Sequence, residues 1–284
     1  MDTNYTLAYG THETPADGRC AMEWVSYLAG ESHSDQPACV SPVVRAFCVA
    51  LNDGLEDDPR QRLRLYLART IGTAGDGLDE WRAWIAMDWL IRTYAPAWLS
   101  CAGLSEAAGR LWSLGAVAAV GDLAPALAEL GFARRRARVA LGAGPAMWLA
   151  PGIGPRVAAR EMAWATAAAA AWAAARIGVG DIAGDRARAA ARAAAGDAAA
   201  TIIRSAAAGV SRAGAREAAR AALAPTIEEL QESAFVLLDR MLPTVDVAAL
   251  LAGDAGGHRS PVGVHGYNDL YKTCMAEAGS LTGS

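Results

Sequence analysis

From Arg156 to Leu223 the chain is written largely in alanine, with arginine and aspartate interspersed. Alanine and arginine are strong helix formers, so this stretch predicts helices. Gly178, Gly180 and Gly184 break the first long helix, and Gly196, Gly209 and Gly214 weaken the second. Trp164 and Trp172 stand eight apart, share a face and anchor its packing. Flat alanine faces approach closely but specify register poorly. An antiparallel bundle over 156–243 is the expectation, with room for a partner helix.

Elsewhere the pattern is also helical. Gly18 to Ala29 reads as a first helix with Asp17 as its cap, ended by Gly30. Ser41-Pro42 is a strong start, a serine cap followed by proline at the first helical position. Val43, Val44, Phe47, Cys48 and Leu51 then mark one buried face, which makes Cys48 a small core residue. Pro59 opens a third helix to residue 70. The glycine loop IGTAGDG at 71–77 lacks the lysine and Ser/Thr of a P-loop and no strand precedes it, so it reads as a plain loop with Asp76 near the next cap.

Residues 78–94, LDEWRAWIAMDWLIRTY, are apolar around most of a helix, the mark of a central element. Pro96 ends that helix. Within it Asp88 and Arg92 stand four apart, acid first, the favourable order for an ion pair. They read as a pair fixing register, or as the polar floor of a pocket. A fifth helix follows at 105–119 with Leu111, Trp112 and Leu114 as anchors. A short helix at 123–141 carries the basic run RRRAR (134–138), a solvated face or a phosphate contact. A Gly/Pro connector then runs to Pro155. Pro225-Thr226, with Glu229, forms a capping box that opens the last helix, ended by Pro243. The fold class is all-α. The plan is an N-terminal helical domain at 1–120 packed around the tryptophan-rich helix, a connector with short helix at 121–155, an Ala-rich helical bundle at 156–243 and a tail at 244–284.

Composition narrows the function. Apolar residues are 53% of the 284, but alanine supplies much of that. Nine tryptophans against three phenylalanines make tryptophan the main source of core volume. A net charge of −4, spread along the chain, argues against nucleic acid or an anionic membrane as partner. The N-terminus carries no secretion signal and no stretch is long enough to span a bilayer, so a cytoplasmic location is expected. Lys272 is the sole lysine, which leaves lysine chemistry one candidate.

Reactive side chains concentrate at 20–39, CAMEWVSYLAGESHSDQPAC. Cys20, Glu23 and Tyr27 fall on one helical face, and His33, Asp35 and Cys39 follow in a loop. Thiolate, imidazole and carboxylate are zinc's ligand types. Cys20, His33 and Cys39, with Glu23 or Asp35 as a fourth, are the candidate metal set, and zinc is the cofactor it would take. The spacing lacks the tight Cys-x2-4-Cys knuckle, and a Cys20–Cys39 disulfide is disfavoured in a reducing compartment. A Cys20 nucleophile with His33 as base has no nameable oxyanion donor. The expectation is therefore a structured loop: Asp35 capping backbone N–H groups, His33 on the surface, Cys20 in the core, and Glu23 bonded to Tyr27 or a tryptophan N–H. His258 and His265 would add ligands only if the tail folded back.

The segments Cys20-x-Met22-Glu23, Tyr27-x-Ala29-Gly30-Glu31, Ser34-Asp35-x-Pro37-x-Cys39 and Ser41-Pro42-Val43 resemble uncharacterised helical proteins of high-GC actinobacteria and their phages. The likeness runs on through Asn52-Asp53, IGTAGDG and Asp88-Trp89-Leu90-x-Arg92-x-Tyr94 to the Ala-rich half and Leu223-Ala224-Pro225-Thr226, about residues 9–242. It implies that 20–39 is a signature, and it brings no catalytic residue with it. Two functions stand. One is a non-enzymatic interaction or regulatory protein that binds a protein partner or self-associates through Ala-rich helices. The other is a metal- or thiol-dependent small-molecule enzyme centred on Cys20–Cys39, with catalytic candidates Glu23, His33, Asp35, Asp88 and Arg92.

Overall fold

The computed structural model describes residues 5–142, 166–208 and 211–243, and every regular element among them is helical. Trp164, the connector beyond 142, and the tail from 244 with His258, His265, Lys272 and Cys274 lie outside the described residues. The chain divides into two compact units, 5–79 with 238–243, and 80–237. The division thus falls ahead of the tryptophan-rich helix, which belongs to the second unit.

In the first unit, helix α1 (Ala21–Leu28) starts three residues later than Gly18, because Asp17 caps Thr14 instead and Cys20 takes the N-cap position. Helix α2 (Pro42–Gly54) begins as expected: the Ser41 hydroxyl accepts from the Val43 and Val44 amides. Its face of Val43, Val44, Phe47, Cys48 and Leu51 is fully buried. The third helix is not continuous. A single turn, α3 (Asp57–Arg60), passes through a 3-10 turn (Gln61–Leu63) into α4 (Arg64–Thr70). Arg60 explains the break. Its buried guanidinium donates to the Asn52 and Leu55 carbonyls at the end of α2, where a cation meets the negative helix pole.

The lead-in before α1 is held by side chains standing in for a neighbouring strand. Gln61 accepts from the Leu7 amide and donates to its carbonyl, and Asn52 bridges the Ala8 carbonyl and the Ala21 amide. The 71–77 loop is closed in the same way. Its Gly72 and Ala74 amides donate to the Cys39 carbonyl, and Thr73 accepts from the Ser41 amide. Those donors face protein, as a plain loop requires. Asp76 holds the Leu78 amide, and Asp79 accepts from the Ser41 hydroxyl.

The second unit opens with α5 (Asp79–Trp89), a widened π turn (Leu90–Tyr94) and α6 (Ala95–Cys101), which run on without a break. Pro96 therefore does not stop the helix. Proline cannot donate to the carbonyl four residues back and clashes with it. The π turn shifts that ladder immediately before Pro96, which then occupies a tolerated first-turn position. Trp84, Trp89 and Trp98 are buried here, whereas Trp81 and Trp112 are exposed. Trp112 closes the short α7 (Ser105–Trp112), which ends well before the expected residue 119.

A 3-10 turn (Val120–Asp122) leads into α8 (Leu123–Leu141), with the bounds read from sequence. The alanine-rich part forms α9 (Thr166–Gly178), α10 (Ile182–Ala206) and α11 (Arg212–Met241). Helix α10 is the centre of this unit and packs chiefly on α8 and then α6. Ala191, Ala194, Ala195, Ala198 and Ala199 are fully buried, so the alanine face of α10 is internal. Gly178 ends α9, but Gly184 lies inside α10. A Cβ at Gly184 would stand 2.6 Å from the Val179 carbonyl oxygen, so glycine is what allows the chain to fold back there. Arg188, also buried, donates to that carbonyl and pairs with Asp185. Pro225 is likewise inside a helix, and Thr226 does not begin one. A mid-helix proline costs about 3 kcal/mol; buried Ala219, Leu223 and Leu230 on both sides of it supply packing that offsets this.

Candidate functional site

The reactive segment is organised by Glu23, which is 1% exposed. Its Oε2 accepts from the Cys20 amide at 2.8 Å, while the Cys20 sulfur faces the Glu23 amide, a capping box with cysteine in the place of serine. The same carboxylate reaches outside the segment. It accepts from the His12 amide at 2.6 Å and from His12 Nδ1 at 2.8 Å. His33 Nε2 lies 3.0 Å from the His12 carbonyl and 3.8 Å from Glu23 Oε1. Burial pushes the Glu23 carboxyl up, but the His12 and Cys20 amides and the His12 ring outweigh it and hold the pKa below its ordinary value. Gly18 makes room for the ring. It has φ +127°, and a Cβ there would stand 2.9 Å from His12 Nε2.

Two partners differ from those expected. Glu23 bonds His12 and Cys20 rather than Tyr27 or a tryptophan, and Tyr27 is exposed beneath the Arg19 guanidinium. The loop is closed by Glu31, not Asp35: Glu31 accepts from the Ala38 and Cys39 amides, and Ser34 from the Gln36 amide. The Cys39 thiol faces Glu31, so Cys20 and Cys39 face different carboxylates, and both are free thiols. Among the described residues no three His, Cys, Asp or Glu side chains are grouped as a metal ion requires. The structure does not gather Cys20, His33 and Cys39 into such a set.

The thiols are also quenched. Burial, aided by the Glu23 charge, pushes Cys20 up to about 12. Burial and Glu31 push Cys39 to about 11, and burial alone takes Cys48 to about 12. The thiolate is the nucleophile, so these groups are inert near neutral pH. Cys101 is exposed. In native protein carrying Cys274→Ser, a maleimide reagent should modify Cys101 rapidly and the other three only on unfolding. Rapid labelling of Cys20 would contradict this burial.

Asp88 and Arg92 pair as the spacing predicts, at 3.2 Å, and Asp88 also accepts from the Val117 amide. They belong to the second unit and Glu23 to the first. Arg92 lines a cleft of about 360 Å3 walled by the π turn, α6, Trp112 and α11. Ala97, Ser100 and Cys101 come from α6, and Thr226, Glu229, Leu230 and Ser233 from α11. Ser233 is fixed by the Trp89 indole, which donates to its hydroxyl at 2.8 Å. The Arg92 Nε is buried without an acceptor.

The basic run divides by helical phase. Arg134 and Arg138, one turn apart on α8, lie 3.7 and 3.3 Å from Asp197 of α10, whose side chain is 0% exposed. Arg135 and Arg136 are solvated or nearly so. Arg204 of α10 donates to the Ala140 carbonyl at the end of α8. These pairs fix the register that the alanine faces leave open. No helix of the described residues is long and apolar enough to cross a membrane. No protein-family model, curated protein or solved structure matches the chain.

Proposed function

We propose that this chain is a non-enzymatic binding protein, an interaction or regulatory module whose last alanine-rich helix forms one wall of its binding cleft. The observation that supports this most is the contrast between the two candidate places. In 20–39 the reactive groups are turned onto one another and onto backbone. In the second unit the polar side chains of α6 and α11 face an open cleft. The alanine face of α10 is buried, so we place the binding surface at the cleft that α11 walls. The occupying group comes from outside the chain, and the resemblance to actinobacterial and phage proteins adds no activity that competes with this.

The enzyme reading centred on Cys20–Cys39 has less support, because its thiols are protonated and its one buried carboxylate is saturated. The test is occupancy. Ala97→Trp fills the cleft from its α6 wall. A small-molecule collection screened by thermal shift should yield ligands that stabilise the native chain and lose that effect in Ala97→Trp. Turnover of a substrate that vanishes in Glu23→Gln and survives in Ala97→Trp would overturn the reading in favour of the enzyme.

A further inference from the structure

We propose that the cleft takes a free amino acid or a similarly small zwitterion, with its carboxylate on Arg92, its ammonium on Glu229 and its side chain against Trp112; this rests on the binding function above. Three features of one cavity carry it. The first is the Arg92 guanidinium. Asp88 occupies its Nη1, and the rest of the partly exposed guanidinium lines the cavity. A carboxylate is the acceptor that fits a guanidinium edge best, since it can take two parallel N–H bonds.

The second is Glu229, an exposed carboxylate on the α11 wall of the same cavity. An anion alone would meet Arg92 and Glu229 with opposite effect, and a cation likewise. A molecule bearing both charges satisfies both walls. The third is Trp112, half exposed on a chain whose other described tryptophans, Trp81 apart, are more buried. It presents an apolar face, with the Ser100, Thr226 and Ser233 hydroxyls available for polar atoms between the charges. A volume of about 360 Å3 is at the small end for ligand cavities, with room for a molecule of this size.

The test is a titration of the full chain with the common L-amino acids one at a time, each beside its C-terminal amide and its N-acetyl form, followed by tryptophan fluorescence and calorimetry. At least one amino acid should bind, and its amide and N-acetyl forms should each bind about tenfold more weakly or worse. Glu229→Gln, a surface change that leaves the fold intact, should remove the discrimination against the N-acetyl form. Arg92→Lys should retain binding but lose part of the preference for carboxylate over amide. Binding of no amino acid, or a Glu229→Gln chain that discriminates as the native one does, overturns the proposal. If other compounds still bind and Ala97→Trp abolishes them, the ligand class fails and the binding function stands. If Ala97→Trp leaves all binding unchanged, the cleft itself is not the site.

Discussion

Replacing Arg134 and Arg138 together by alanine should destabilise the chain by about 3–5 kcal/mol, while Asp197→Ala should cost less than about 1 kcal/mol. The asymmetry follows from burial. Asp197 is enclosed, and both arginines reach it from partly exposed positions on α8. Removing the arginines takes two cations away from a carboxylate enclosed in the α8–α10 interface, the expensive way to break such a pair. Removing Asp197 frees two guanidiniums that can turn to water, and it adds an alanine to a helix already built of alanine. Urea unfolding of the three chains measures this. Equal losses would show that the pair is held by attraction alone and that the carboxylate is solvated.

Glu23→Gln should lower stability by about 2–4 kcal/mol near neutral pH and remove the steepest part of the acid limb. An amide oxygen cannot serve the three donors that face the carboxylate, and the glutamine NH2 would confront one of them. The pH dependence has a definite sign. The Glu23 pKa is lower in the folded chain than its ordinary value. Its contribution is therefore fully present above the ordinary glutamate pKa and is lost as pH falls through the lower folded value. Stability curves of native and Glu23→Gln chains should differ most above the ordinary value and converge in acid. A gap that stays constant to the lowest pH would contradict the hydrogen-bonded carboxylate.

Where local signals decide structure, they are legible in this sequence. Ser41-Pro42 announces α2, and the spacing through Leu51 marks its buried face. Helix α8 runs over 123–141 as its pattern predicts. Prolines misled, since Pro96 and Pro225 carry a local stop signal that surrounding structure overrides, by a π turn in one case and by flanking packing in the other. The split of the third helix at Arg60 depends on carbonyls that α2 presents eight and five residues back, which no helical periodicity encodes.

The candidate site was legible by place but not by partner. Glu23 was singled out and is the hub, whereas His12, its main outside partner, sits in a lead-in with no pattern of its own. Only the folded turn around Gly18 brings the two together. Asp35 is the expected cap of the loop, yet Glu31, from the end of the preceding turn, is the residue that accepts from the Ala38 and Cys39 amides. Asp197 carried a signal that went unread. It is a lone acid among alanines at 193–200, and Arg134 and Arg138 stand one helical turn apart, the phase needed to grip it.

The central claim is that the 20–39 segment serves the fold, with Glu23 as the acceptor that closes it. Amide hydrogen exchange at His12 and Cys20, read by NMR, tests this most directly. The claim predicts slow exchange at both amides in the native chain, and accelerated exchange at both in Glu23→Gln while the Val44 and Leu51 amides of α2 stay protected. Fast exchange at His12 and Cys20 in the native chain, or rates unchanged by Glu23→Gln, would contradict it.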